Sequence, residues 1–148
     1  MPETTREHIY VCHTYYHIYI ALILAYIDYL EARRPVLLIA FTKNVYDDNF
    51  FFFLKRVRWV KVFDLTHKEL VNRIEQMPAL KKVFINLFIR AWYPRKDQKL
   101  ETVPHIKDAH IFLFNDFHYI ARYLLKVNRQ DVQLLEDGTA NYVPARRG

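Results

Sequence analysis

The chain carries a short acidic cluster whose residue types suit the deprotonation of a hydroxyl group. Glu136 and Asp137 stand directly before Gly138, near the end of the sequence. A partly desolvated carboxylate can act as a general base on a substrate hydroxyl, and the glycine permits a turn with positive φ. An ordinary Asp-Gly turn would use the same residues. The pattern alone therefore leaves both a general base and a structural turn open.

Two further clusters contain short polar side chains that suit hydrogen bonds to a substrate. Thr14 and His17 follow the first apolar segment, and Asn115 and Asp116 follow a later one. Thr14 and Asp116 are also residue types that cap helices, and His17 suits either a substrate hydroxyl or the capping of a turn. His13 and His17 straddle a predicted strand end and helix start, so the sequence predicts no metal site there.

The composition excludes several classes of site. Gly138 and Gly148 are the only two glycines in 148 residues, whereas a Walker loop or a dinucleotide-binding turn needs several close together. Cys12 is the single cysteine, which excludes a disulfide within the chain and a multi-cysteine zinc site. We therefore expect a reduced, cytoplasmic protein. The hydrophobic content of 52% predicts a folded domain.

The net charge of +6 bears on the partners of the chain. The basic residues are scattered, whereas a groove for nucleic acid would interleave them with exposed aromatic residues, so we expect no nucleic-acid partner. Most of these charges are expected to be solvated, and attraction to anionic lipid at the inner face of the cytoplasmic membrane is the alternative. The apolar segment from Leu80 to Trp92 could pack on a partner domain or lie at a membrane surface.

Apolar segments alternate with segments of helical length along the whole chain. Strands are predicted at residues 8–14, 36–41, 59–63, 109–114 and 131–136, and helices at 16–34, 50–56, 68–92 and 117–127. Pro35 is expected to stop the first helix, and Pro78 to break the third. Asp47 is available to cap the second helix, and Phe50–Phe53 within it are expected in the core. Continuous apolar strands separated by helices predict a parallel sheet covered on both faces.

The predicted fold class is α/β, with a Rossmann-like parallel sheet of strand order 3-2-1-4-5. In that order the first and fourth strands are neighbours, and ligands bind beyond their carboxyl ends. The three polar clusters should therefore converge on one crevice. The predicted substrate-binding residues are Thr14, His17, Asn115, Asp116, Glu136 and Gly138, with Asp137 as the catalytic residue.

Three segments carry a resemblance to a known family: residues 8–17 (HIYVCHTYYH), 112–116 (FLFND) and 132–142 (VQLLEDGTANY). They resemble the opening strand and turn, the fourth-strand region and the acidic-acidic-glycine motif of bacterial sialyltransferases of glycosyltransferase family 52 and the related polysialyltransferases. The Glu-Asp-Gly step followed closely by Tyr142 is the most specific part.

The resemblance implies a fold and a reaction. Family members have the two-domain GT-B fold, in which the N-terminal domain binds the acceptor glycan and the C-terminal domain binds the donor, CMP-sialic acid. Transfer inverts the anomeric centre and needs neither a metal nor another cofactor. The middle residue of the acidic motif is the general base, which corresponds here to Asp137.

The sequence departs from the family pattern in two places. A His-Pro motif that contacts the CMP phosphate is expected downstream of the acidic motif, but no histidine follows Asp137. Tyr15 stands where many members have proline. We therefore expect residues 1–148 to be the acceptor-binding domain alone, without the donor domain and inactive by itself. A GT-B domain for another nucleotide sugar, or a non-catalytic glycan- or membrane-binding domain, remains the alternative, and a homo-oligomer remains open.

Overall fold

A computed structural model describes residues 6–41, 47–66, 68–92, 103, 106–115, 119–127 and 131–135. Strands and helices alternate through them. The elements are β1 (Glu7–Cys12), α1 (Tyr15–Leu30), β2 (Arg34–Ile39), α2 (Asp48–Leu54), β3 (Lys61–Asp64), α3 (Lys68–Glu75), α4 (Ala79–Trp92), a 3-10 turn (Ile106–Asp108), β4 (His110–Leu113), α5 (Tyr119–Val127) and β5 (Val132–Leu134).

The strands form one five-stranded sheet in the order β3-β2-β1-β4-β5. Every neighbouring pair is parallel. β1 lies at the centre, where Val11 is opposite Leu38 of β2 on one side and Leu113 of β4 on the other. The predicted Rossmann-like α/β sheet and its strand order are confirmed.

Helices cover both faces of the sheet, as the apolar strands predict. Alternate residues of a strand point to opposite faces, so Ile9 and Val11 pack under α5, whereas Tyr10 and Cys12 pack under α1 and α2. Two hydrophobic cores result, one on each face, and Val11, Leu38 and Leu113 have no exposed surface. These cores hold the strand ends, and with them the polar turns, in fixed positions.

The first helix ends earlier than the sequence predicts. α1 stops at Leu30, and Ala32 takes a positive φ of 60°, which turns the chain before Arg34 and Pro35 enter β2. Pro35 therefore lies in a strand opposite His8 and does not itself end the helix. The turn is held by the Arg33 N–H, which donates to the Asp28 carbonyl oxygen at 2.8 Å.

The expected break at Pro78 and the expected cap at Asp47 are confirmed. Pro78 separates α3 from α4 because it cannot donate a backbone hydrogen bond. The Asp47 carboxylate accepts the Asn49 and Phe50 N–H groups at 3.0 and 3.3 Å. The expectation that Phe50–Phe53 all lie in the core is wrong. Only Phe51 is buried, and two of the four rings face solvent. Four consecutive side chains of a helix point in different directions, so they cannot all face the sheet.

Candidate functional site

The carboxyl ends of β1 and β4 lie side by side, as the switch-point prediction requires. Val11, one residue before the end of β1, and Leu113, the last residue of β4, are register partners. The His17 ring, on the first turn of α1, stacks on the Phe114 ring with centroids 4.4 Å apart and an interplanar angle of 7°. The turn after β1 and the turn after β4 therefore meet, and Thr14, His17 and Asn115 belong to one edge of the sheet.

Thr14 begins α1 as its N-cap. Its backbone is extended, with φ −140° and ψ 164°, and its hydroxyl oxygen accepts the His17 N–H at 3.2 Å. This contact satisfies one of the four N–H groups that a helix start leaves without a helical partner. Thr14 is nevertheless exposed, so its hydroxyl can still donate to a ligand at the sheet edge.

His17, which was predicted either to bind a substrate hydroxyl or to cap the turn, is buried. Only 2% of its surface is exposed, and its Nδ1 accepts the His13 N–H at 3.1 Å. An Nδ1 that accepts carries no proton, so the ring proton lies on Nε2. Through these contacts, His17 connects the first turn of α1 to the ends of β1 and β4.

His13 connects the same edge of the sheet to the end of β2, and this contact was not predicted from the sequence. Its Nδ1 lies 2.9 Å from the Ala40 carbonyl oxygen, and the residue is 4% exposed. Nearby, the Thr66 hydroxyl accepts the Phe41 N–H at 3.1 Å. A histidine directly after an apolar strand was the available signal, but its partner is 27 residues away in sequence.

Asn115 offers an acceptor at this edge. Its Oδ1 is buried, and no hydrogen-bond partner for it is found among the described residues. Leaving a buried acceptor unsatisfied costs about 1–3 kcal/mol. A hydroxyl donor that entered the edge beside Phe114 would remove that cost, which suits a hydroxyl-rich ligand.

Four of the predicted site residues, Asp116, Glu136, Asp137 and Gly138, lie outside the described residues. The described chain does lead to the same edge, because the Leu135 N–H donates to the Leu113 carbonyl oxygen at 2.6 Å. Asn115 and Leu135 are thus the last described residues before the Asp116 and Glu136 positions.

A second polar cluster, which the sequence analysis did not predict, lies at the opposite, amino-terminal edge of the sheet. The Asp28 carboxylate, in the last turn of α1 and 4% exposed, accepts the Tyr10 hydroxyl at 2.5 Å and lies 3.1 Å from His8 Nδ1. Arg33 Nη1 lies 3.4 Å from its other oxygen. We call His8, Tyr10, Asp28 and Arg33 the Asp28 cluster.

Burial shapes the acid–base properties of this cluster. Burial lowers the pKa of His8, although the Asp28 carboxylate works in the opposite direction. Burial, and then the hydrogen bond to Asp28, raise the pKa of Tyr10, so its phenol stays protonated at neutral pH. Burial likewise raises the pKa of the Cys12 thiol, which keeps it from nucleophilic chemistry.

Two properties of the described residues bear on membranes and metals. None of the helices in these ranges has both the length and the apolar composition needed to cross a membrane. Within the same ranges, no three His, Cys, Asp or Glu side chains come together as a metal-binding group.

Comparison with protein-family models, with curated proteins and with solved structures finds no match for the chain.

Proposed function

We propose that the chain is the N-terminal, acceptor-binding half of a GT-B glycosyltransferase that transfers sialic acid from CMP-sialic acid to a cell-surface glycan. The observation that carries the proposal is the strand order β3-β2-β1-β4-β5, which brings the Thr14 and Asn115 turns together at the switch point. Ligands of open α/β sheets bind at such points. The three segments that resemble the sialyltransferases include the ends of β1, β4 and β5.

The acceptor glycan binds in this proposal through hydroxyl hydrogen bonds. Thr14 and Asn115 offer an exposed hydroxyl and a buried amide oxygen from two adjoining turns. His17 holds these turns in place through its stack on Phe114. Asp116, Glu136 and Gly138 complete the acceptor site, as the sequence predicts. An acceptor bound in this way has a hydroxyl oriented for deprotonation.

Asp137 is the proposed general base. Its carboxylate takes the proton of the acceptor hydroxyl as that oxygen attacks the anomeric carbon of sialic acid. The bond from this carbon to the phosphate oxygen breaks, and CMP leaves with the electron pair, which inverts the anomeric centre. The reaction uses no metal ion or other cofactor, and the donor is held mainly by a C-terminal domain.

The general-base role is tested in the chain joined to its donor domain. We expect Asp137→Asn to lower kcat about 10²–10⁴-fold, the range for loss of a general base, because the amide cannot accept the proton. Sialic acid transfer to a panel of glycans, measured by mass spectrometry, is the readout. An unchanged kcat would remove Asp137 from this role, and a donor other than CMP-sialic acid would leave the fold assignment but change the substrate.

Acceptor binding is tested in the chain by itself. Saturation-transfer NMR with sialylated and galactose-terminated oligosaccharides should show contacts that weaken in Asn115→Ala. Asn72→Ala is the matched control, because Asn72 is exposed on α3. Equal loss in both variants would argue against the switch-point site, and glycan binding without any transfer in the joined protein would favour the non-catalytic alternative.

A second candidate function, binding to an anionic membrane surface, is favoured by α4. Leu80, Val83, Phe84 and Leu87 are 56–78% exposed, and their spacing places them on one side of a helix. Exposed Lys81 is adjacent, and the chain carries a net charge of +6. Apolar and basic residues together are typical of helices that lie in a membrane interface.

Vesicle binding tests this candidate. The chain should bind vesicles of phosphatidylglycerol but not of phosphatidylcholine, less strongly at high salt, and Phe84→Ser should weaken binding. Phe53→Ser is the matched control, because Phe53 is 66% exposed on a different helix. Equal binding to both lipids, or equal loss in both variants, would reject the α4 surface.

A further inference from the structure

An open pocket lies at the amino-terminal edge of β1 and β4, the edge opposite the proposed acceptor site. His8, the second residue of β1, and His110, the first residue of β4, are register partners, and their ring centroids are 5.6 Å apart. The pocket has a volume of about 180 Å³ and is lined by Arg6, His8, Arg33 and His110. Every one of these lining side chains is a cation or an imidazole, which suits an anionic ligand.

Neighbouring carboxylates hold the two arginines of the pocket in position. Arg6 Nη2 lies 2.6 Å from Asp131, and its Nε donates to the Asp108 carbonyl oxygen at 3.0 Å. Arg33 is held by Asp28 and Glu31. A guanidinium has five N–H donors in a planar fork that matches phosphate oxygens, more than these contacts use, so both arginines can bind an oxyanion while staying anchored.

The charge around the pocket changes when His8 takes up a proton. Two guanidiniums, Arg6 and Arg33, face three carboxylates, Asp28, Glu31 and Asp131, for a formal sum of 2 − 3 = −1 while the His8 imidazole is neutral. One proton on His8 changes the sum to −1 + 1 = 0. An anion that contacts the two guanidiniums is therefore bound more strongly when His8 is protonated.

We propose that this pocket binds a phosphate group and that binding strengthens as His8 takes up a proton. The ligand class is inorganic phosphate or a phosphomonoester, including a lipid headgroup. The proposal is independent of the acceptor site, because the pocket lies at the other end of α1.

The surroundings of His8 explain why the pocket would respond to acidification. Asp28 faces its Nδ1 from α1, Arg33 follows that helix, His110 faces it from β4, and Tyr10 and Arg6 lie on or beside its own strand. Asp28 holds a proton on Nδ1, which leaves Nε2 to take up the second proton. Burial keeps this second proton off in the empty pocket, and a bound anion favours it.

Titration calorimetry with inorganic phosphate and with sulfate tests the proposal. Sulfate remains doubly charged across this range, so any pH dependence of its binding reports the protein. We expect Kd for sulfate to be at least about tenfold lower near pH 5.5 than near pH 7.5, because uptake of one proton changes affinity by up to tenfold per pH unit. Absence of binding near pH 5.5, or equal affinity at both pH values, overturns the proposal.

Variants assign the binding to this pocket. Arg33→Gln should weaken sulfate binding about tenfold or more, and Arg58→Gln, on an exposed arginine away from the pocket, should not. Because Arg33→Gln also removes a partner of buried Asp28, His8→Gln is the second variant, and it should reduce the pH dependence with the circular dichroism spectrum unchanged. Equal loss in Arg58→Gln, or full pH dependence in His8→Gln, contradicts the assignment.

A vesicle arm separates the two phosphate sources. Binding of phosphatidic acid vesicles that inorganic phosphate displaces identifies a lipid headgroup in the pocket. Phosphate binding without vesicle binding identifies a soluble ligand. Vesicle binding that phosphate fails to displace, near pH 5.5, uses another surface such as α4 and rejects a lipid headgroup as the ligand of the pocket.

Discussion

Asp28 shows how one buried charge can organise an end of the sheet. A carboxylate with 4% of its surface exposed is costly unless it is paired. Here its two oxygens are shared by the Tyr10 hydroxyl, the His8 ring and the Arg33 guanidinium. These partners come from β1 and from the turn after α1, so the carboxylate fixes where the helix lies on the sheet.

Removing the Tyr10 hydroxyl should destabilise the fold. Tyr10→Phe takes away a hydrogen bond to a buried carboxylate, and such charged hydrogen bonds contribute about 1.5–3 kcal/mol. We expect the free energy of unfolding in urea to fall by that amount. Tyr19→Phe is the matched control, because Tyr19 is 64% exposed and its substitution should change stability by less than about 0.5 kcal/mol. Equal effects would show that the Asp28 contact contributes nothing specific.

His8 should make the stability fall on acidification. The pKa of His8 lies below its ordinary value of 6.5 in the folded chain because burial opposes the charge. Between the two values the unfolded chain binds a proton that the folded chain does not, so unfolding becomes easier as pH falls through 6.5. Urea unfolding between about pH 7.5 and about pH 5.5, in a phosphate-free buffer, measures this effect.

The control for the pH series is His8→Gln, which keeps a polar side chain beside Asp28 but cannot titrate. Its unfolding free energy should fall less over the same pH range than that of the parent chain. If the two slopes are the same, His8 is not the group responsible.

At the scale of elements, α1 connects the two ends of the sheet. Its first turn carries His17 and is capped by Thr14 at the carboxyl edge, and its last turn carries Asp28 at the amino edge. A helix of 16 residues is about 24 Å long. The proposed acceptor site and the proposed anion pocket therefore lie at opposite ends of one rigid element.

Loss of the cap should weaken α1. Thr14→Ala removes the hydroxyl that accepts the His17 N–H, and we expect a loss of about 1 kcal/mol in the free energy of unfolding. Thr14→Ser keeps the hydroxyl and should restore most of it. An alanine variant as stable as the parent chain in urea would show that the cap is dispensable.

At the scale of the whole molecule, stability depends on a sheet that is buried on both faces. β1 has a neighbour on each side, and its alternate residues enter two separate cores. The polar turns at either edge adjoin these buried strands, so the packing of the cores helps to hold them in place. Any ligand bound at an edge depends on packing several residues away.

Truncation of the core should be far more costly than truncation of a surface leucine. Leu38 has no exposed surface, so Leu38→Ala should lower the free energy of unfolding by about 2–5 kcal/mol. Leu80 is 78% exposed, and Leu80→Ala should change it by less than about 0.5 kcal/mol. A large effect of Leu80→Ala in urea unfolding would instead reveal a contact that covers α4.

Much of the fold followed from local patterns along the chain. Apolar runs such as Val36–Phe41 predicted the strands, Asp47 and Thr14 predicted helix starts, and Pro78 predicted a break. The end of α1 was predicted wrongly, because Ala32 takes a positive φ that is unusual for a residue with a Cβ atom. The prediction that Phe50–Phe53 all lie in the core was wrong for a related reason. The hydrophobic character of a residue does not determine which side of a short helix packs on the sheet.

The sequence by itself determined the alternation of strands and helices, the strand order and the edge at which Thr14, His17 and Asn115 lie, because these depend on residue type, periodicity and the chirality of crossovers. Only the tertiary structure decided that His17 is buried between α1 and the strand ends. It also decided that Asp28, His8 and His110 lie at the same edge of the sheet as Arg6 and Arg33. The reason is distance along the chain: Arg6 meets Asp131 across 125 residues, and only the packed sheet brings such partners together.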